Sequence, residues 1–275
     1  MGQKLIPTYI VDSFTNAPFK GNPAGVCLLN HEMDEAQMLS IAQELNLSET
    51  AFVKELQQDH TFSIRYFSPK MEIPLCGHAT LAAAKVIFEK YQSSKVDFIN
   101  VQNLVLPVYQ SGENIVMQFP VYETFPAIAP LLLLKALGLK EITNSVYNKE
   151  TKILLLEIKD TQILKNLQPD FEALLRSHDS INGVLVTAPS SNDDFDFHSR
   201  YFWPWSGTNE DPATGGTHTF LTKYWSTRLQ KTSMKSFQSS HRTGFMEVEL
   251  IEGNELLIKS QAVIVFEGNL RLSFD

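Results

Sequence analysis

The chain has 275 residues, of which 43% are hydrophobic, and it carries a formal net charge of −8. This hydrophobic content is enough for packed cores and, without any low-complexity tract, excludes an intrinsically disordered chain. The acidic residues are scattered and Lys and Arg do not cluster, which argues against a nucleic-acid-binding surface.

The first half of the chain predicts many strands and two helices. The helix at 34–45 has apolar residues at helical spacing, and Asp34 is a suitable N-cap. Residues 79–88 are rich in alanine and apolar on nearly every side, which predicts a helix buried all round. A linker between domains is expected at 119–126. Strands are predicted at 4–11, 24–29, 46–53, 62–67, 96–101, 104–109 and 114–119.

The second half gives a similar pattern. Helices are predicted at 130–139 and 217–229. Strands are predicted at 145–147, 153–158, 183–187, 195–202, 235–239, 247–251, 256–265 and 270–274. Each half therefore reads as many strands around one long central helix, which places the chain in the α+β class.

An internal repeat relates the two halves. Residues 65–69 and 200–204 both read Arg-Tyr-Phe-x-Pro, and residues 72–77 and 210–215 both read Glu-x-Pro-x-x-Gly. A repeat at about half the chain length predicts two similar domains rather than a solenoid, whose period would be roughly 20–50 residues. We expect residues 1–118 and 119–275 to form the two domains, with the last strand free to cross back to the first.

Each copy of the repeat places glycine where a buried helix begins. A helix N-terminus offers unpaired N–H groups and attracts anions, and glycine lets a ligand approach the backbone closely. Alternatively, these glycines only permit a tight turn between strand and helix. The duplication, with Cys76 and His78 in one copy and Asp211 in the other, favours a site.

Other motifs point to no metal and no organic cofactor. Dinucleotide-binding, Walker, GxSxG and HExxH patterns are absent, and Cys27 and Cys76 are not at metal-ligand spacing. The N-terminus has no signal-peptide pattern, and the longest apolar run, at 130–139, is too short to span a bilayer. We therefore expect a cytoplasmic protein that binds neither membrane nor nucleic acid.

Taken one at a time, the polar candidates have ordinary interpretations. A lone Glu49 at a loop–strand boundary is usually solvated or part of a helix cap. His78 alone reads as a structural histidine, and Cys76 alone as a small, inert hydrophobic residue.

Together, four motifs resemble a known family. Residues 11–15 with 21–24, residues 46–52, residues 74–80 and residues 210–215 are similar, in order and at compatible spacing, to the PhzF phenazine-biosynthesis-like isomerases. The resemblance covers nearly the whole chain. Residues 199–202 and 237–242 are especially similar to the branch that includes the animal PBLD-type proteins.

The resemblance implies a fold and a reaction. The fold is that of diaminopimelate epimerase, with two pseudo-symmetric domains, each a curved, mostly antiparallel sheet or barrel around a central helix. The reaction is cofactor-independent proton transfer on a small carboxylate substrate in the cleft between the domains, often within a homodimer. Glu49 corresponds to the family's acid/base residue, and His78 and Asp211 line the site. The residues expected to bind substrate are Asn22, Cys76, Gly77, Gly215, Gly216 and Thr217.

Two positions depart from the family or its relatives. The family usually has serine where this chain has Gly216, so a hydroxyl donor is missing. The related epimerases and racemases carry cysteine before glycine in both halves, but here the second position is Thr214. Racemisation by two thiols is therefore not available to this chain.

Glu49 remains as the main proton carrier. The helix N-termini beside His78 and Asp211 favour a neutral histidine and an ionised aspartate. Glu49 is expected within about 5 Å of His78 or Asp211, with its pKa raised toward neutrality by burial. Two alternatives stay open, an epimerase or racemase that depends on Cys76 and a non-catalytic protein-binding module on the same fold.

Overall fold

The structure is a computed structural model that describes residues 4–57 and 60–272. The chain divides into two units, unit 1 with residues Met1–Gln118 and Lys259–Asp275 and unit 2 with residues Phe119–Ile258. Residues 259–275 therefore lie in unit 1 together with the first part of the chain.

The elements up to residue 120 alternate between strands and two helices. The strands are β1 (Lys4–Ser13), β2 (Asn22–Leu29), β3 (Glu49–Glu55), β4 (Thr61–Phe67), β5 (Glu72–Ile73), β6 (Lys95–Ile99), β7 (Val105–Ser111) and β8 (Asn114–Pro120). The helices are α1 (Glu35–Leu45) and α2 (Gly77–Tyr91). Asp34 caps α1 by accepting a hydrogen bond from the amide of Gln37, as its position in the sequence predicts.

The rest of the chain contains three short helices and one long one. The elements are β9 (Phe125–Pro126), α3 (Leu131–Leu137), β10 (Asn144–Asn148), β11 (Ile153–Glu157), α4 (Thr161–Lys165), α5 (Phe171–Arg176), β12 (Gly183–Pro189), β13 (Phe197–Trp203), a 3-10 turn (Pro204–Ser206), β14 (Thr208–Asp211), α6 (His218–Leu229), β15 (Ser233–Gln238), β16 (Gly244–Ile251), β17 (Glu255–Ser260) and β18 (Ala262–Leu272). Among the described residues, none of the helices combines the length and the apolar character needed to cross a membrane.

Strand pairing shows the internal duplication. In unit 1, β2 pairs parallel with β3, β3 antiparallel with β4, β4 antiparallel with β5 and β4 parallel with β6. In unit 2, β11, β12, β13, β14 and β15 repeat this sequence of pairings. In each unit the second parallel connection carries the long helix, α2 or α6. The α+β class and the two similar units expected from the sequence are confirmed.

The long helix α2 is buried on nearly every side. From His78 to Phe88, all side chains except Lys85 are buried. The run Ala82–Ala84 is fully inaccessible, and its small side chains let α2 pack against strands such as β1, β2 and β3. This packing fixes the N-terminus of α2, where Cys76 is the N-cap residue.

The structure departs from the sequence prediction at several places. Helices α4 and α5 were not expected, since each spans fewer than two full turns. The single strand predicted at 256–265 is divided at Gln261 into β17 and β18. The strand predicted at 270–274 is the end of β18, and its last two residues lie outside the described residues.

Candidate active site

Unit 1 brings Glu49, Cys76 and His78 together. Glu49 is the first residue of β3, Cys76 is the N-cap of α2, and His78 is the second residue of that helix. Because α2 packs directly against β2 and β3, the histidine ring reaches the start of β3. His78 Nε2 lies 3.1 Å from Glu49 Oε2. The predicted approach of Glu49 to within about 5 Å of His78 is confirmed.

Both ring nitrogens of His78 face polar groups. Besides Glu49, Nε2 lies 3.3 Å from the Ser48 hydroxyl. On the other side, Nδ1 lies 3.4 Å from Cys76 Sγ and 3.4 Å from the amide nitrogen of Asn22. Since His78 is only 9% exposed, these contacts and not bulk water set its protonation. The buried ring thus contacts four side chains of unit 1, those of Asn22, Ser48, Glu49 and Cys76.

The charges of this pair reinforce each other. Burial alone lowers the pKa of His78, but Cys76 and the Glu49 carboxylate outweigh it and hold the pKa well above its ordinary value. Burial alone raises the pKa of Glu49, but the hydrogen bond and charge of His78 and the Ser48 hydroxyl bring the pKa below its ordinary value. We therefore expect a carboxylate facing an imidazolium at neutral pH.

Two expectations about protonation were wrong. The pKa of His78 is not lowered as the helix N-terminus predicts, because Cys76 and the Glu49 carboxylate at 3.1 Å raise it against the effect of burial. The pKa of Glu49 is not raised toward neutrality, because the imidazolium compensates for the loss of solvation.

Cys76 completes the cluster. Burial raises its pKa, although the charge of His78 acts in the opposite direction. Among the described residues, Glu49, Cys76 and His78 place one donor atom each within 4.8 Å of one another, a spacing that could hold a metal ion. That the site works without a metal stays a prediction.

In unit 2, Asp211 begins a tightly hydrogen-bonded segment. The Thr214 hydroxyl donates to the Asp211 carboxylate, and the Thr214 amide donates to Gln238 Oε1 over 2.9 Å. Gln238 Nε2 in turn donates to the Asp211 carbonyl over 2.6 Å, and the Ser240 hydroxyl donates to the Pro212 carbonyl. The strand end and the glycine segment are thus held by side chains of β15 and the turn that follows it.

The glycines of the second copy precede the helix. Helix α6 begins at His218, three residues after Gly215, whereas α2 begins at Gly77 itself. Thr217 is the N-cap of α6, and its hydroxyl donates to the Thr214 carbonyl over 3.0 Å. A Cβ atom added at Gly216 would meet nothing within 4 Å, so this backbone borders open space. The helix predicted at 217–229 therefore begins one residue later than expected, and Gly215 precedes it, whereas Gly77 opens α2.

The repeated arginine and glutamate serve the fold. Arg65 donates two hydrogen bonds of 2.7 Å to Glu72, and Arg200 donates two of 2.7 and 2.8 Å to Glu210. Each pair joins a strand to the short strand that leads toward α2 or α6. Such bidentate pairs fix geometry as well as charge. The repeat therefore positions the glycine segments.

Sequence reasoning missed several supporting residues. Ser48, Ser13 and Gln238 all contact the candidate residues, and Ser13 Oγ donates to the His78 carbonyl over 2.7 Å. Ser13 and Ser48 lie within the motifs that carry the resemblance, and Gln238 lies within the second branch-specific motif. Their place in these motifs was the available signal.

Comparisons with known proteins find relatives that match nearly the whole chain. Phenazine biosynthesis-like domain-containing protein 1 of Mus musculus is 39% identical over 96% of this chain and 99% of its own. An uncharacterized isomerase of Pseudomonas aeruginosa is 39% identical over 95% of this chain and 97% of its own.

Solved structures give the same result. A PhzF-family protein of Enterococcus faecalis, 37% identical, superposes with a TM-score of 0.88 over 98% of this chain and 100% of its own. A predicted epimerase of Pseudomonas aeruginosa, 17% identical, has a TM-score of 0.71 over 96% of this chain and 99% of its own, and shows a shared fold. The family described as phenazine biosynthesis-like protein, PhzC-PhzF, matches residues 11–268. The chain belongs to this family.

Proposed function

We propose that the protein is a cofactor-independent isomerase in which Glu49 moves a proton on a small carboxylate substrate. The observation that carries the proposal is the buried Glu49–His78 pair, with 3.1 Å between Oε2 and Nε2. Buried titratable pairs with perturbed pKa values are typical of acid/base sites. The name of the Pseudomonas relative, an isomerase, supports the same reaction class.

Glu49 would act as base and then as acid. Its carboxylate takes a proton from a carbon next to the substrate's carboxylate or carbonyl, and the electron pair of the C–H bond becomes an enolate. The carboxylic acid so formed returns the proton to another carbon or to the other face. Positioned acid/base catalysis of this kind contributes about 10²- to 10⁴-fold.

The surrounding groups would stabilise the charge that develops on the substrate. The low pKa of Glu49 makes it a modest base, but the imidazolium that lowers this pKa also lies where negative charge appears. Backbone amides at Gly77 and at Gly215–Gly216 are donors for the substrate anion. We assign substrate orientation to Asp211 and Asn22. Placement of the substrate in a cleft between the units remains a prediction of the resemblance.

The two alternative functions predict different experimental outcomes. An epimerase that depends on Cys76 needs a thiolate, which the raised pKa of Cys76 disfavours. It would be supported if a thiol reagent inactivated the enzyme and a ligand protected it. A protein-binding module would never incorporate solvent deuterium into a small carboxylate.

The test is deuterium exchange with Glu49→Gln. The protein is incubated in D2O with a panel of amino, hydroxy and unsaturated carboxylic acids, and exchange is followed by proton NMR. We expect exchange into at least one acid, and a loss of at least roughly a hundredfold in Glu49→Gln with an unchanged circular dichroism spectrum. Glu44→Gln, on an exposed carboxylate of α1, is the matched control and should behave as wild type. Wild-type exchange in Glu49→Gln would refute the mechanism.

A further inference from the structure

A cavity within unit 2 is lined by none of the residues that the proposed function assigns to catalysis or substrate binding. Its volume is about 680 Å³, which falls in the range of small-molecule sites. Its walls come from α4, the connection from α4 to α5, β13, and the turn between β15 and β16. Of the described residues that line it, none belongs to the segment 211–217.

Two sequence motifs that resemble the PBLD-type branch of the family meet at this cavity. They are residues 199–202 and 237–242, which contribute Arg200 from the first motif and Phe237, Ser240 and His241 from the second. Strands β13 and β15 pair in parallel, with Ser199 opposite Gln238. This pairing brings two segments that are distant in sequence to one wall.

Arg200 and Glu210, two charged residues that line the cavity, neutralise each other. Glu210 is the acidic residue among the described lining residues, and Arg200 neutralises it through two hydrogen bonds of 2.7 and 2.8 Å. The remaining guanidinium nitrogen, Nη1, donates to the carbonyls of Leu164 and Leu167 over 3.2 and 2.8 Å. This pair therefore leaves neither a free negative charge nor a free guanidinium for a ligand.

The exposed edge of the cavity carries a lysine and a histidine without polar partners in the described part of the chain. Lys165 and His241 both line it, and within residues 4–57 and 60–272 neither side chain has an ion pair or hydrogen bond. Asp160 and Asp170, which cap α4 and α5, are not among the described lining residues. Because Arg200 and Glu210 balance each other, Lys165 leaves the lining with one unbalanced positive charge, which favours an anion.

The cavity also has aromatic walls. Phe171 and Phe237 line it, and the Phe237 ring lies 5.3 Å from the ring of His198. Burial lowers the pKa of His198, and its Nδ1 lies 3.0 Å from the Ser239 hydroxyl. The histidine therefore acts as a neutral wall that a flat or apolar group can pack against.

We propose that this cavity is a second ligand site, which binds a small organic anion. The apolar body of the ligand packs against Phe171 and Phe237, and its carboxylate or phosphate group contacts Lys165 and His241. The proposal is independent of the reaction assigned to Glu49.

The test is an amide NMR titration of the full-length protein. Benzoate and phenyl phosphate are the anionic probes, inorganic phosphate tests the anionic group alone, and benzamide is the neutral match to benzoate. We expect saturable shifts at 161–171 and 237–243 with benzoate or phenyl phosphate, and much weaker ones with benzamide. The tighter of the two aromatic anions tells whether the site prefers a carboxylate or a phosphate.

Variants locate the binding site. The double variant of Lys165→Gln and His241→Gln, both at exposed positions, should weaken binding by about tenfold. Lys140→Gln, an exposed lysine of the same unit that does not line the cavity, and Glu49→Gln should bind like wild type. The proposal is overturned if no probe saturates up to about 10 mM, if the double variant binds as tightly as wild type, or if Glu49→Gln abolishes binding.

Discussion

The protonation of His78 is the property of the candidate site that most needs a measurement. Its pKa is raised by Cys76 and Glu49 against the effect of burial, so the ring should be charged at pH 7. We expect its imidazole proton resonances to titrate above the ordinary range near 6.5, and the pKa to fall in Glu49→Gln. His218, whose pKa burial lowers to about 4, is the internal control and should not change. A neutral His78 at pH 7 in the wild type would contradict this assignment.

The Glu49–His78 pair also makes the free energy of unfolding depend on pH. The lowered pKa of Glu49 contributes stability that is present above its unfolded value of 4.5 and is lost as pH falls through the folded pKa. The raised pKa of His78 contributes stability that is present below its unfolded value of 6.5 and is lost as pH rises through the folded pKa. Both contributions are therefore complete between about 4.5 and 6.5.

Gly216 is a position where a side chain can be restored. An added Cβ meets no atom within 4 Å, and the residue does not have a positive φ. We expect Gly216→Ser, which introduces the hydroxyl usual in the family, to change the free energy of unfolding by less than about 0.5 kcal/mol. Gly21→Ser is the contrast, since Gly21 has φ +65° and its Cβ would lie 2.0 Å from the Ser13 carbonyl oxygen. It should cost at least about 2 kcal/mol in denaturant titration. Equal stability of the two variants would show that the local geometry is wrong.

For single residues, the sequence identifies the members of the candidate site better than their protonation states. Glu49, His78 and Cys76 were named from motifs, and the structure brings their donor atoms within 4.8 Å of one another. Their charges could not be predicted, because the sign of each pKa shift depends on a distance of 3.1 Å that no motif encodes.

Among the elements, the two arginine–glutamate pairs invite a direct comparison. The Arg200 and Glu210 side chains are 9% and 16% exposed, and those of Arg65 and Glu72 are 29% and 17% exposed. Removing one partner of a buried pair leaves an uncompensated charge and costs about 3–5 kcal/mol, whereas exposed pairs contribute about 1 kcal/mol or less. We expect Arg200→Met to destabilise unit 2 more than Arg65→Met destabilises unit 1, as measured by hydrogen exchange of each unit. Equal losses would mean that burial does not distinguish the pairs.

Local signals decided which elements could be predicted. Helix α1 has both apolar spacing and the Asp34 cap, and its predicted range 34–45 differs from the observed one by a single residue. Helices α4 and α5 also have aspartate caps, Asp160 and Asp170, but they are too short to show periodicity. No glycine or proline in the sequence marks the break at Gln261. The break arises because β18 pairs with β1 of unit 1.

For the whole molecule, the important pairing is that of β1 with β18, which joins the two ends of the chain in unit 1. It runs from Lys4 opposite Leu272 to Ser13 opposite Ala262. Deletion of residues 259–275 should therefore expose one edge of β1 and unfold unit 1, while unit 2, which β18 does not belong to, keeps its structure. Amide NMR spectra of the truncated and complete proteins would test this. Intact unit 1 signals after truncation would show that the last strand is dispensable.

The path of the chain also sets an order of events during synthesis. In the sequence, the residues of unit 2 stand between the two segments of unit 1. A ribosome therefore completes residues 119–258 before it reaches β18. Until then, β1 pairs with β2, but the edge that pairs with β18 stays open on the nascent chain. Because pairing across such a long sequence separation is slow, unit 1 should be the last part to fold. A chaperone that protects the emerging polypeptide would then be needed mainly by the half of the protein that is translated first.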